Sequence, residues 1–311
     1  MAKKTAWGCT LNVMIITIVV LLALTVISFI GGSVGAMMRG DEPMSIFAVH
    51  APQPELPAEH PFPGLPITNT MITAWISILV LFGLFFAATR KMRLVPHGLQ
   101  NLIEFFYDAA TDFIEDPAGK GFGRKFFPVC VTIFLFVLAN AWINLIPGFE
   151  TIKMNGMPLL RNANTDINVP LMLAVVSFFF VEYWGFKAKG IPYLRKFFNL
   201  VPLGQGFKQL STGKIKAGFS GIAMGAIAIF TGLLEAISEL IRMVSFTFRL
   251  FGNMTAGMIL TLVMIYIVPW VVPSLFYGLE AFLGFVQAMI FGGLTLCFLV
   301  VAVMPEEEEA A

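Results

Sequence analysis

Charge is what this chain has least of. Only 13% of its 311 residues are Asp, Glu, Lys or Arg, while 58% are hydrophobic. A soluble domain carries roughly a quarter charged residues, so a water-exposed globule is excluded and an integral membrane protein is indicated. The formal net charge is +1, and so small a balance offers nothing to a nucleic acid or other polyanion. Cysteine is equally scarce: Cys9, Cys130 and Cys297 stand far apart, without metal or redox spacing. The three histidines, His50, His60 and His97, lie in polar segments and form no ligand set. Neither a metal nor a cofactor is expected.

Long apolar runs make up the rest. The first, 11–30, follows Lys3 and Lys4 and is long enough to cross a bilayer. It reads as a retained helix, being longer than a typical secretory-signal core; as a signal, it would offer the small residues at Ser33–Ala36 for cleavage. Residues 33–69 are Pro-rich and polar and read as an external loop. The domain division expected is therefore 1–69, an N-terminal helix and loop, and 70–311, a membrane domain that moves ions. A second span, 70–89, ends at Arg90, Lys91 and Arg93. In 98–116, Leu102, Ile103, Phe106, Ala110, Phe113 and Ile114 recur on one side and Glu104, Asp108, Asp112 and Glu115 on the other, the pattern of a helix lying on the membrane surface. Third and fourth spans follow at 126–147 and 170–186.

The stretch 218–268 is too long for one upright helix. At 1.5 Å per residue it would extend about 75 Å, against a hydrocarbon core about 30 Å thick. It must be steeply tilted, bent or broken into a hairpin. Pro269 and Pro273 mark a turn, and a last helix runs to about Met304, before Glu306–Glu309. The fold class expected is an all-α integral membrane protein of about five to six membrane helices, two of them long and tilted near the C-terminus, plus one amphipathic surface helix. Lys3 and Lys4, Arg90–Arg93, Lys120–Lys125 and Lys187–Lys216 fall on one side, so both termini are expected in the cytoplasm.

Inside the last two apolar segments stand two basic residues, Arg242 and Arg249. An arginine at bilayer depth costs roughly 2.5–3.5 kcal/mol on insertion scales and stays charged. With Arg249 set to zero on a helical projection, Arg242 falls near about 20°, Ser238 about −20°, Ser245 about −40°, Asn253 and Glu235 about 40°, and Glu239 about 80°. Such a stripe must face protein or water. On the last helix Glu280 and Gln287 share a face, with Gly284 between them. The topology orders these groups by depth: Glu280 outward, Arg249 central, Glu235 and Ser238 inward. That order suits two ion paths divided by a fixed positive charge.

The run from Arg249 through Leu250, Phe251, Gly252, Asn253 and Met254 to Gly257, with Leu234-Glu235-Ala236-Ile237-Ser238 upstream and Gln287 downstream, resembles subunit a of rotary F-type ATP synthases. Asn144-Leu145-Ile146-Pro147 and Thr165-Asp166-Ile167-Asn168-Val169 match two weaker motifs, and the likeness covers roughly 70–304. The resemblance implies a stator subunit that forms two proton half-channels against a rotor ring, couples ion flow to rotation and leaves the ATP chemistry to other subunits. It implies Arg249 as the essential stator arginine, Asn253 and Gln287 as its polar neighbours, Glu235 and Ser238, with Glu239 beside them, on the cytoplasmic path, and Glu280 on the external one. The implied partners are a ring of small hairpin subunits (subunit c), the peripheral-stalk subunit b and the lipid bilayer of a bacterial inner membrane or equivalent. One departure is Met258, where some members carry a titratable residue.

Plainer readings stand beside these. Arg242, three residues after Glu239, could simply pair with it; Glu239 could serve structure as well as path. Gly284 suits helix packing, Glu182 an interfacial position near Lys187, and Glu306–Glu309 a solvated tail. The loop motifs at 144–147 and 166–168 suit caps or turns. A stand-alone secondary transporter or channel would also tolerate buried charges, but its internal repeat is not visible; a passive membrane anchor would not need the stripe.

Overall fold

The computed structural model describes residues 11–40, 42, 49, 57–62, 64–146, 149, 152–154, 156–197, 200–212 and 215–304. The chain is an all-α membrane protein: among the described residues six helices are long and apolar enough to span. In chain order the helices are α1 (Leu11–Gly31), α2 (Ser33–Arg39), α3 (Asn69–Thr89), α4 (Leu99–Ile143), α5 (Asn168–Lys189), α6 (Val201–Ser211), α7 (Ile215–Ile267) and α8 (Val272–Val303). The only strands among those residues are β1 (Lys153–Met154) and β2 (Met157–Pro158), a two-residue antiparallel pair.

Two elements differ from the sequence reading: α6, and α2, which occupies the start of a stretch expected to be a loop. In α4 a break at Pro117 and the non-helical Gly119 (φ 71, ψ 156) separates the surface segment from the third span, as expected. Only glycine takes that backbone freely. The 218–268 stretch lies in a single helix, α7, of 53 residues, so of the expected forms the hairpin is excluded. At about 80 Å it far exceeds the bilayer and has to incline steeply. Helix α6 was not expected, because Pro202, Gly204 and Gly206 give its short run a loop-like composition. Yet Gly206 meets Gly221 of α7 so closely that a Cβ there would lie 2.6 Å from the Ile222 nitrogen. Pro147 and the Glu306–Glu309 tail lie outside the described residues.

Close contacts divide the chain into two interleaved units. The first comprises Met1–Ala74, Asn140–Asp166 and Gly252–Val286. Its loop residues are stitched by buried polar groups: Thr70 Oγ1 donates to Asp166 Oδ2 (2.9 Å), Arg161 Nε to Thr165 Oγ1 (3.2 Å) and Arg161 Nη1 to the Pro57 carbonyl (3.0 Å). Asp166 thus bonds across to α3 and ends the short 3-10 turn Ala163–Thr165, the turn that its motif suited. The C-terminal end of α1 belongs here as well. Its fully buried Ser28 accepts a 3.0 Å bond from the Trp270 N–H in the turn between α7 and α8. That turn contains Val271 at φ 70, an unusual value for a β-branched residue.

The second unit comprises Trp75–Ala139, Ile167–Phe251 and Gln287–Ala311. Its apolar centre joins Ile114, Phe126, Cys130, Val181, Trp184, Leu296, Leu299 and Ala302. A buried hydroxyl pair, Ser177 and Thr295 (2.8 Å), links α5 to α8. Thr295 already donates to the Phe291 carbonyl (2.8 Å), so Ser177 is the donor to Thr295.

In the first unit, Gly284 of α8 lies against Ala141 of α4; a Cβ on Gly284 would sit 2.7 Å from that of Ala141. Gly284 is therefore a packing glycine. Gly284→Leu is expected to destabilise the protein by about 1–3 kcal/mol through overpacking, read as a lower melting temperature of the detergent-purified complex, with Gly284→Ala milder.

Candidate functional site

The polar stripe of α7 does not stay together on one surface. Arg249, Ser245 and Ser238 are exposed, Glu235, Arg242 and Asn253 are half-buried, and Glu239 is buried. The difference follows from helix phase: Glu239, at the stripe's edge, shares the inward face with Phe246, Leu250 and Met254.

Arg249 therefore points away from its own unit. Its Nη2 donates weakly to Ser245 Oγ at 3.5 Å, one turn back, and its guanidinium carbon stands 6.0 Å from the Phe246 ring centre. Among the described residues it has no carboxylate within ion-pair distance. Asn253 follows one turn later on α7, and Gln287 is half-buried on α8.

A second group of charges surrounds Glu239 in the second unit. Lys196 Nζ lies 2.9 Å from Glu235 Oε1 and 2.8 Å from Glu239 Oε1. Arg242 Nη1 lies 2.8 Å from Glu239 Oε2, the intrahelical pair that the spacing allowed, and its guanidinium stacks 3.8 Å above the Phe298 ring. Glu239 is thus bracketed by two cations. Beside them is a cavity of about 530 Å3, lined among others by Tyr193, Lys196, Glu235, Glu239 and Arg242. Glu182 faces the Tyr193 hydroxyl and lies within electrostatic reach of Lys196 and Glu239. It is not paired with Lys187, which donates to Tyr183 and stands 4.6 Å from the Trp184 ring centre.

Lys196 is not on α7. It ends a 3-10 turn, Ile191–Lys196, that begins after Gly190 (φ 67), whose N–H bonds to the Phe186 carbonyl. Two glycines let this turn dock. A Cβ on Gly185 would come within 2.5 Å of the Tyr193 ring, and one on Gly232 within 2.2 Å of the Phe197 carbonyl oxygen. Burial pushes the Lys196 ammonium down, but hydrogen bonds to Glu239 and Glu235 more than offset this and hold it above the ordinary lysine value. Burial, reinforced by Glu182, pushes the Tyr193 phenol up to about 12, so it stays neutral. The sequence offered one signal for Lys196, its place in a basic loop, and that signal is shared by every lysine near it.

A third group lies in the first unit. Glu280 of α8 is only 6% exposed, and its Oε2 accepts a 3.3 Å bond from Thr261 of α7. Gly257 leaves room beside it: a Cβ there would stand 3.7 Å from Glu280 Cγ. Met258, next along, is buried.

The sequence profile of the family described as ATP synthase A chain matches residues 71–300. The chain belongs to the ATP synthase subunit a family. It is 33% identical over 242 residues to ATP synthase subunit a of Helicobacter pylori (strain P12), covering 77% of this chain and 92% of the relative. With ATP synthase subunit a of Campylobacter hominis it is 34% identical over 223 residues, covering 71% and 83%. As a member of this family it is a multi-pass membrane subunit of an F-type ATP synthase. Helix α1 lies outside the part that the subunit a profile matches.

Replacing Glu239 with Ala would leave Lys196 and Arg242 without their common anion. A loss of about 3 kcal/mol is expected, measured as a lower melting temperature of the purified complex, with Glu239→Asp recovering part of it.

Proposed function

We propose that this chain is the stator of a proton-driven rotary motor, forming two half-channels against a rotor ring in an energy-coupling membrane such as the bacterial inner membrane. The observation that carries this reading is Arg249, an exposed cation in the middle of an apolar helix, with no carboxylate partner among the described residues of its own chain. Such a charge calls for an anion supplied by another subunit. A ring of hairpin subunits (subunit c), each with a buried carboxylate, meets that need. The peripheral-stalk subunit b would hold the chain still, and the ATP chemistry would take place outside it.

A ring carboxylate in lipid is favoured neutral by desolvation. Facing Arg249, its charged form is favoured and its proton leaves. Glu235 and Ser238, with Glu239 behind them, would pass that proton toward the cytoplasm, the side on which the C-terminus is taken to lie. Glu280, oriented by Thr261, would supply a new proton from outside, with Gln287 and Asn253 near the centre. The guanidinium repels a proton crossing directly, and each charge moved gains about 2.3 kcal/mol per 100 mV. Residues 70–311 would form this ion-moving domain, with 1–69 as its N-terminal attachment.

Arg249→Ala is expected to abolish proton-driven ATP synthesis in membrane vesicles while the complex still assembles; synthesis near the wild-type rate would refute the stator role. For Glu280→Gln, a several-fold slower passive proton flux through membranes stripped of the ATP-hydrolysing part is expected, with the pH dependence flattened. An unchanged flux from acid to alkaline pH would remove Glu280 from the outer path.

A further inference from the structure

The pairing of Lys196 is asymmetric. Its two carboxylate partners are nearly equidistant, 2.9 Å to Glu235 and 2.8 Å to Glu239. Their surroundings are not alike: the Glu239 side chain is 4% exposed and also held by Arg242, whereas that of Glu235 is 37% exposed. One arm of the ammonium is anchored and the other is open to the cavity beside it.

We propose that Lys196 is a positioning residue on the inner proton path, a displaceable counter-ion for Glu235 that yields its place to each passing proton. This rests on the reading of Glu235 as part of that path. When a proton arrives on Glu235 Oε1, the Lys196 N–H bond to that oxygen breaks. The ammonium keeps its own protons and its bond to Glu239. When the proton leaves, the bond to Glu235 re-forms. Charge inside the cluster then changes by no more than the one proton in transit. The groups facing Lys196 are Tyr193 from its own turn, Glu182 from α5, and Glu235, Glu239 and Arg242 from α7. Lys189 also lines the cavity, and α8 contributes Phe298, Val301 and Ala302, with Met304 just beyond it, none of which titrates.

The turn that carries Lys196 is built to hold it there. Gly185 and Gly232 admit the Tyr193 ring and the Phe197 carbonyl at distances that no side chain would allow. The lysine Nζ stands over the aromatic rings of Tyr193 and Phe197, 5.9 Å and 5.4 Å from their centres. A lysine needed only for solubility or topology would require none of this.

The test uses the whole ATP synthase in liposomes, with ATP-driven proton uptake followed as the pH on the inner-path side is varied. Lys196→Met keeps the stem and removes the charge. Its uptake should persist to a pH about one unit higher than in the wild type, because a proton no longer has to displace an ammonium. In the synthesis direction the same variant should slow at acid pH on that side, and Lys196→Arg should restore the wild-type profile in both directions. A Lys196→Met profile lowered at every pH with an unmoved midpoint would mean mere structural support and overturn the proposal. If that complex fails to assemble, Lys196→His, charged only below about pH 6.5, should show a new step near that pH; a wild-type profile would overturn the proposal. Arg249→Ala in the same liposomes separates the two ideas. If it pumps normally, the stator reading fails; if it does not pump and Lys196→Met leaves the midpoint unmoved, only the role of Lys196 fails.

Discussion

A permanent cation inside an apolar helix must find an anion or water, and most of what is distinctive here can be traced to that demand. α7 meets it twice, in different ways. Arg242 turns toward Glu239 and the Phe298 ring and is satisfied within the chain. Arg249, two turns on, faces outward with a single weak bond to Ser245. Seven residues bring the helix nearly back to the same angle, so the two arginines differ less in direction than in what neighbours them. Glu239 lies within reach of one and not of the other.

Glu280 and Glu235 show a related contrast. Glu280 is enclosed and takes a hydroxyl as a hydrogen-bond partner, a neutral neighbour that can donate or accept as the carboxyl changes state. Glu235 takes a full ammonium.

Much of this was legible in the sequence, for physical reasons. Arg249 stood out because hydrocarbon rejects charge. The length of α7 followed from an apolar run longer than any bilayer requires, and the turn near Pro269 and Pro273 from residues that end helices. What was not legible depended on distant contacts. Lys196 lies 43 residues before Glu239, and nothing in its local pattern separates it from the lysines around it. Tyr193, which faces Glu182, is eleven residues away from it and likewise not marked out by local pattern. Glu239 could not be assigned inward or outward from a projection that puts it at the margin of a stripe. Helices α2 and α6 were hidden because glycine and proline, read locally, signal interruption.

Gly185 and Gly232 have a bearing on how variants of this protein should be read. Neither carries charge or a titratable proton, and neither touches a carboxylate by a side chain of its own. Yet each is a space that the 191–197 turn occupies. A methyl group at either place would lift the turn and draw the ammonium away from Glu235 and Glu239. Variation at two chemically silent sites would then mimic the loss of a cation, and a survey restricted to ionisable residues would overlook both.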